Sequence, residues 1–202
     1  MNSLAKFTDI RHYPLHECLI NPDWREMGHA RVLVSRKKPN GRIAFGMFLV
    51  DLYCLGAKEL MADENTTKSK YENFMKPMMY FDGTPVPCDP HLGHTIIYGG
   101  IRYARSLGFE PHEDFEAHKS ILVPESEVAM DTSVQFGKDG KPFYVQGPED
   151  DVDRILATLK KTVGEGNFGF VSAEDMGAGG EDDIDEMFDA FSSLAEGMGK
   201  KK

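Results

Sequence analysis

No two cysteines in this sequence are spaced as Cys-x-x-Cys, and only three occur: Cys18, Cys54 and Cys88. A zinc ribbon and a disulfide framework are therefore not expected, and a reducing cytoplasm is the simplest compartment. No apolar run is long enough to span a bilayer, and the opening "MNSLAKFTDIRHYP" carries no apolar signal core. Basic residues number 23 against 33 acidic ones, for a net charge of −10. That balance argues against broad binding to a nucleic-acid backbone, though it leaves room for a local basic patch. A P-loop, a GxSxG elbow, an HExxH helix and the kinase signatures are all missing. "GEGNFG" at 164–169 fits GxGxxG by letter, but it follows a predicted helix and opens none, so it is rejected as a dinucleotide loop. No cofactor is expected.

What is present suffices for a packed core. Of 202 residues, 41% are hydrophobic and 28% charged, which fits one domain with an appendage. The charge is uneven. Nine acidic residues and three lysines lie between Glu174 and Lys202, a net of −6, which leaves −4 for the rest. The stretch "EDMGAGGEDD" reads as a flexible acidic linker, so the chain divides into a globular domain over 1–173 and an appendage over 174–202.

Within the first part, "HARVLVSRK" and "RIAFGMFLVDLYCL" are β-rich runs separated by "KPNG", a sequence suited to a tight turn with Gly in the left-handed region. The stretch containing Trp24 before them reads as irregular. "TKSKYENFMKPMMYF" has apolar residues at helical spacing and a break near Pro77. "DPHLGHTIIYGGIRYARSLG" is the clearest helix, with Asp89 as N-cap, Pro90 in the first turn and Gly108 at the end. Gly99 and Gly100 in its middle imply close approach of another element. "SVQFGKDGKPFYV" reads as a second hairpin around Asp139-Gly140, and "GPEDDVDRILATLKKTVG" as an amphipathic helix closed by Gly164. The class is α+β: two antiparallel β-hairpins with covering helices, plus a C-terminal amphipathic helix on the acidic linker.

One residue raises a chemical question. Asp51 sits inside the apolar run "FLVDLYCLG". If the first hairpin closes through Pro39-Asn40-Gly41, His29 falls opposite Asp51, and Arg31 lies on the same face. The structural reading is a carboxylate neutralised by His29 or Arg31, which offsets its desolvation cost. The functional reading is that Asp51 orients His29 as a base, or ligates a metal. The structural reading is preferred because no nucleophile motif accompanies the pair.

Other candidates are His94 on the long helix, and His112, Asp114 and His118 in "PHEDFEAH". The last three have the side-chain types a divalent metal uses, but their spacing fits no single helical face, and no metal is expected. Met75, Met78 and Met79 read as core gap-fillers or an adaptable surface. In the appendage, Ile184, Met187, Phe188, Phe191 and Leu194 recur as one apolar stripe, with acidic residues at its start and lysines after its end. Such a short helix is marginal alone and should dock on its own body or on a partner groove.

"FLVDLYCLGAK" together with "IIYGGIRYARSLGFEPHEDF" resembles a set of uncharacterised intracellular bacterial proteins, over roughly Arg31 to Leu122. The resemblance implies no activity, and the appendage lies outside it. The leading expectation is a cytoplasmic binding or adaptor protein that acts through protein–protein contacts, with the tail helix as interaction element and no membrane association. The alternative is a divalent-metal-dependent hydrolase, such as a phosphodiesterase or nuclease, using Asp51 with the histidines of "PHEDFEAH".

Overall fold

The computed structural model describes residues 10–172. Its strands are β1 (Leu15–Ile20), β2 (His29–Lys37), β3 (Ile43–Asp51), β4 (Gly56–Thr66), β5 (Val86–Pro87), β6 (Phe143–Val145) and β7 (Gly169–Val171). The first five form an antiparallel sheet in the order β4-β3-β2-β1-β5. Together with the helices this gives the α+β class.

The β2–β3 hairpin has the register read from its loop. Lys38 N–H donates to Arg42 O at 2.8 Å, Gly41 takes φ +78°, and His29 stands opposite Asp51. The sheet is covered on both faces, which is why "IAFGMFLV" is apolar almost without interruption. One face presents Cys18, Ile20, Val32, Val34, Phe48 and Val50 to the long helix Pro90–Ser106. The other presents Leu19, Leu33, Phe45 and Met47 to an irregular helical segment. That segment runs through a π-helix, Tyr71–Met75, into a 3₁₀ helix, Lys76–Asp82. Met75, Met78 and Met79 are buried in it and fill the core.

The long helix begins as expected, with the Asp89 carboxylate accepting from His91 N–H at 2.8 Å. Its glycines meet the sheet and a neighbouring loop at close range. A Cβ on Gly100 would lie 2.5 Å from Val50 Cγ1, and one on Gly99 2.3 Å from the Phe136 ring. A third, smaller core joins the β3–β4 turn to the end of this helix. It gathers Cys54, Leu55, Leu107, Phe109, Tyr144, Ile155 and Leu159, the last two from the amphipathic helix Val152–Thr162.

Three features differ from the sequence reading. β1 lies in the stretch read as irregular, where "LHECLI" interrupts any alternation with His16 and Glu17. β4 is rich in Lys, Glu and Asp, poor strand formers on their own, and exists through its pairing with β3. The second hairpin shrinks to a single bridge, Lys138 to Lys141, around Asp139 (φ +53°) and Gly140 (φ +77°). Pro142 has no N–H to continue a ladder, and β6 pairs in parallel with β7 instead. The apolar stripe of the appendage lies outside the described residues.

Candidate functional site

Asp51 ends β3 and is buried, with 2% of its surface exposed. Its Oδ1 accepts from Tyr53 N–H at 2.8 Å and Cys54 N–H at 3.1 Å, and its Oδ2 from Leu55 N–H at 3.0 Å. The carboxylate therefore caps the tight turn into β4, satisfying amides that the turn would otherwise bury unpaired. The sequence suggests a carboxylate paired with His29 or Arg31; the hydrogen bonds described to it come from its own turn. His29 is its cross-strand neighbour. Arg31 stands in the row Arg31–Leu49–Glu59 across three strands. Burial raises the Glu59 carboxyl above the usual range, and the Arg31 charge offsets part of that.

The turn shapes a cleft of about 400 Å³ lined by Trp24, Arg25, Tyr53, Gln135, Lys138 and Asp139. Arg25 lies over the Trp24 ring at 4.0 Å, and Lys138 over Phe143 at 4.3 Å. Tyr53 O–H donates to Arg25 O at 3.3 Å, and its ring fills the space where a Cβ on Gly28 would stand. A second cleft of similar volume sets Tyr98, Phe115 and Leu122 among Arg11, Arg105 and Lys119. Its cations are matched at the rim: Arg105 pairs with Glu110 at 2.8 Å and Lys119 pairs with Glu116.

His94 is also committed. Nδ1–H donates to Pro90 O and Nε2 accepts from Val123 N–H at 3.2 Å, so one tautomer ties the first turn of the long helix to the loop after it. Burial, with a contribution from nearby Arg36, holds its pKa below the ordinary value. A ring with both nitrogens engaged has no lone pair to offer a substrate or metal.

Of the "PHEDFEAH" residues, His112 and Asp114 lie together, with His112 Nδ1 3.9 Å from Asp114 Oδ2, while His118 faces β4. His112 Nδ1 accepts from Asp114 N–H at 3.2 Å, Asp114 is exposed, and His118 Nδ1 lies 4.0 Å from Glu64 Oε1 on β4. The grouping that could hold a metal among the described residues is a different one: His16, Glu17 and Glu72. His16 Nε2 lies 4.0 Å from Glu17 Oε1 and 3.7 Å from Glu72 Oε1. Lys76 Nζ reaches the other oxygens, 2.8 Å from Glu17 Oε2 and 4.0 Å from Glu72 Oε2. Behind them, Tyr71 O–H lies 2.7 Å from Glu17 Oε1 and 3.0 Å from Ser35 Oγ. The sequence reading missed this group. Its only local sign is the adjacent His-Glu pair in β1, because Glu72 arrives from a segment 55 positions further along.

No family model matches the chain, no curated protein matches it, and no solved structure matches it. No helix among the described residues is long and apolar enough to cross a membrane.

Proposed function

We propose that the chain acts by binding a protein, with two contact elements: the aromatic segment around residues 74–81 and the apolar stripe of the acidic appendage. The observation that carries this reading is how the segment is built. Tyr71, Met75, Met78 and Met79 are buried and anchor it to the sheet, while Phe74, Tyr80 and Phe81 are 59%, 53% and 48% exposed. Large aromatic side chains left in water on an anchored scaffold contribute little to folding and are the residue types that dominate protein contacts. Lys68, exposed where the segment begins, suits a partner with apolar anchors and acidic flanks. The hydrolase reading has less support, because Asp51 and His94 are engaged in structural hydrogen bonds, and His118 faces Glu64 while His112 and Asp114 face each other.

The test is capture with purified components. A partner recovered with the full chain is titrated against wild type and against Phe74→Ala combined with Phe81→Ala. Binding lost in the double variant, with an unchanged melting midpoint, supports the reading. Equal affinity of the two proteins for every recovered partner overturns the aromatic face.

A further inference from the structure

We propose that His16, Glu17 and Glu72 form a binding site for a divalent first-row transition-metal ion, seated between β1 and the π-helix. Two backbone irregularities create the convergence. Leu15 pairs with Arg36 and Glu17 with Ser35, so His16 is the extra residue of a β-bulge. In a regular strand, neighbouring side chains point to opposite faces. The bulge suspends that rule and leaves the His16 ring and the Glu17 carboxylate side by side. Opposite them, Tyr71–Met75 is wound as a π-helix, and Glu72 on its first turn projects toward the His16 ring. Bulges and π-turns recur next to functional sites because they re-aim side chains that regular elements would separate. Here one of each aims its side chains at the same point.

The chemistry of the set is selective. One imidazole nitrogen and two carboxylate oxygens favour zinc, nickel or cobalt over magnesium, which prefers an all-oxygen shell. Ligand atoms about 2.0–2.2 Å from a tetrahedral ion lie roughly 3.4 Å from one another. The two distances from His16 Nε2, 3.7 and 4.0 Å, therefore need shifts of only a few tenths of an ångström per side chain, and all three ligand atoms lie within 4.8 Å of one another. Three protein ligands leave a fourth position for water, the arrangement of an open site. The side chains are between 19% and 36% exposed, so an ion can enter.

The division of oxygens is the strongest indication. Lys76 takes the Oε2 atom of each glutamate, and His16 faces the Oε1 atom of each, that of Glu17 also accepting from the Tyr71 hydroxyl through one of its lone pairs. The ammonium and an ion can thus occupy opposite sides of the carboxylate pair. Tyr71 orients Glu17 from the buried side, and the His16 ring packs edge-on against Tyr71 at 5.8 Å. Such supporting contacts fix the aim of metal ligands. Lys76 also repels a cation, so the site holds its ion in exchange with solution. An ion there would clamp β1 to the segment that carries the exposed aromatics.

The experiment titrates the full chain with zinc chloride, and separately with magnesium chloride, by calorimetry, and follows cobalt(II) by visible absorption. A single saturable zinc site, no magnesium binding and a cobalt spectrum of low-coordinate type are expected. His16→Ala and Glu72→Gln should each weaken zinc by at least about tenfold. Glu72→Gln keeps the shape of an exposed side chain, so it reports on ligation even if His16→Ala disturbs the bulge. Lys76→Met should tighten zinc binding. No saturable zinc binding by wild type, or equal affinity in wild type and Glu72→Gln, would overturn the site. Either result would leave the capture test of the aromatic face unaffected.

Discussion

His29 and Asp51 stand directly opposite each other on β2 and β3, yet the Asp51 carboxylate serves the turn that follows it rather than its cross-strand neighbour. A buried charge is tolerated there because three amide donors converge on it, and charge-assisted hydrogen bonds of this kind are stronger than neutral ones. The turn in turn delivers Cys54 and Leu55 to the smaller core.

Removing that carboxylate should loosen the junction between the sheet and the smaller core. Asp51→Ala leaves the buried amides of Cys54 and Leu55 without an acceptor, at a cost of about 1–3 kcal/mol. Asp51→Asn keeps one acceptor oxygen and should fall between the variant and wild type. Urea melts followed by Trp24 fluorescence check this ordering, and equal midpoints for all three proteins would refute it.

At Gly100 two effects compete. Replacing a mid-helix glycine with alanine favours a helix by roughly 1 kcal/mol. The new Cβ would meet Val50 Cγ1 at 2.5 Å, inside a covered sheet where the branched side chain has nowhere to turn. Overpacking of this kind costs about 1–3 kcal/mol. Gly100→Ala should therefore lower the melting temperature. A raised value would mean that the helix slides outward without loss.

His94 gives stability a pH dependence of known sign. Its folded pKa is depressed, first by burial and then by Arg36, while the unfolded chain titrates near 6.5. Between those two values the unfolded state binds the extra proton, so stability rises with pH across that window. The contribution is complete above the unfolded pKa and is lost as the solution is acidified below it. Melting temperatures from about pH 7 downward should fall in wild type and fall less steeply in His94→Gln, which cannot take up the proton. Parallel curves for the two proteins would show that other groups carry the acid sensitivity.

The appendage can be separated from the body by experiment. Phe188→Ala with Phe191→Ala should abolish partner capture while the body melts as wild type does. A lowered melting midpoint would instead make the stripe part of the core, and no change in either measurement would remove it from the binding surface.

Where the sequence was informative, local chemistry decided the outcome. Pro39-Asn40-Gly41 set the β2–β3 register, Asp89 and Pro90 began the long helix, and Gly99 and Gly100 marked where neighbouring elements press against it. β4 was not legible, because Lys58, Glu59, Asp63 and Glu64 have no strand preference of their own, and pairing with β3 supplies it. The role of Asp51 was half legible: its burial and partner strand followed from the hairpin, but its hydrogen bonds depend on how residues 52–55 curl. The His16, Glu17 and Glu72 group depends on a bulge and a π-turn meeting across the sheet, and neither is encoded in a short motif.

The strand order also has a kinetic side. β1 to β4 lie in the sheet in the order in which they leave the chain, each one antiparallel to the next. Such a meander closes only short loops, so it can zip from the β2–β3 hairpin outward with little entropy lost at each step. β5 is different: Val86 and Pro87 must return across the whole irregular helical segment to reach Ile20 and Leu19. The meander is thus suited to form early and the β5 edge to close late. Weakening β5 should then hasten unfolding far more than it slows folding.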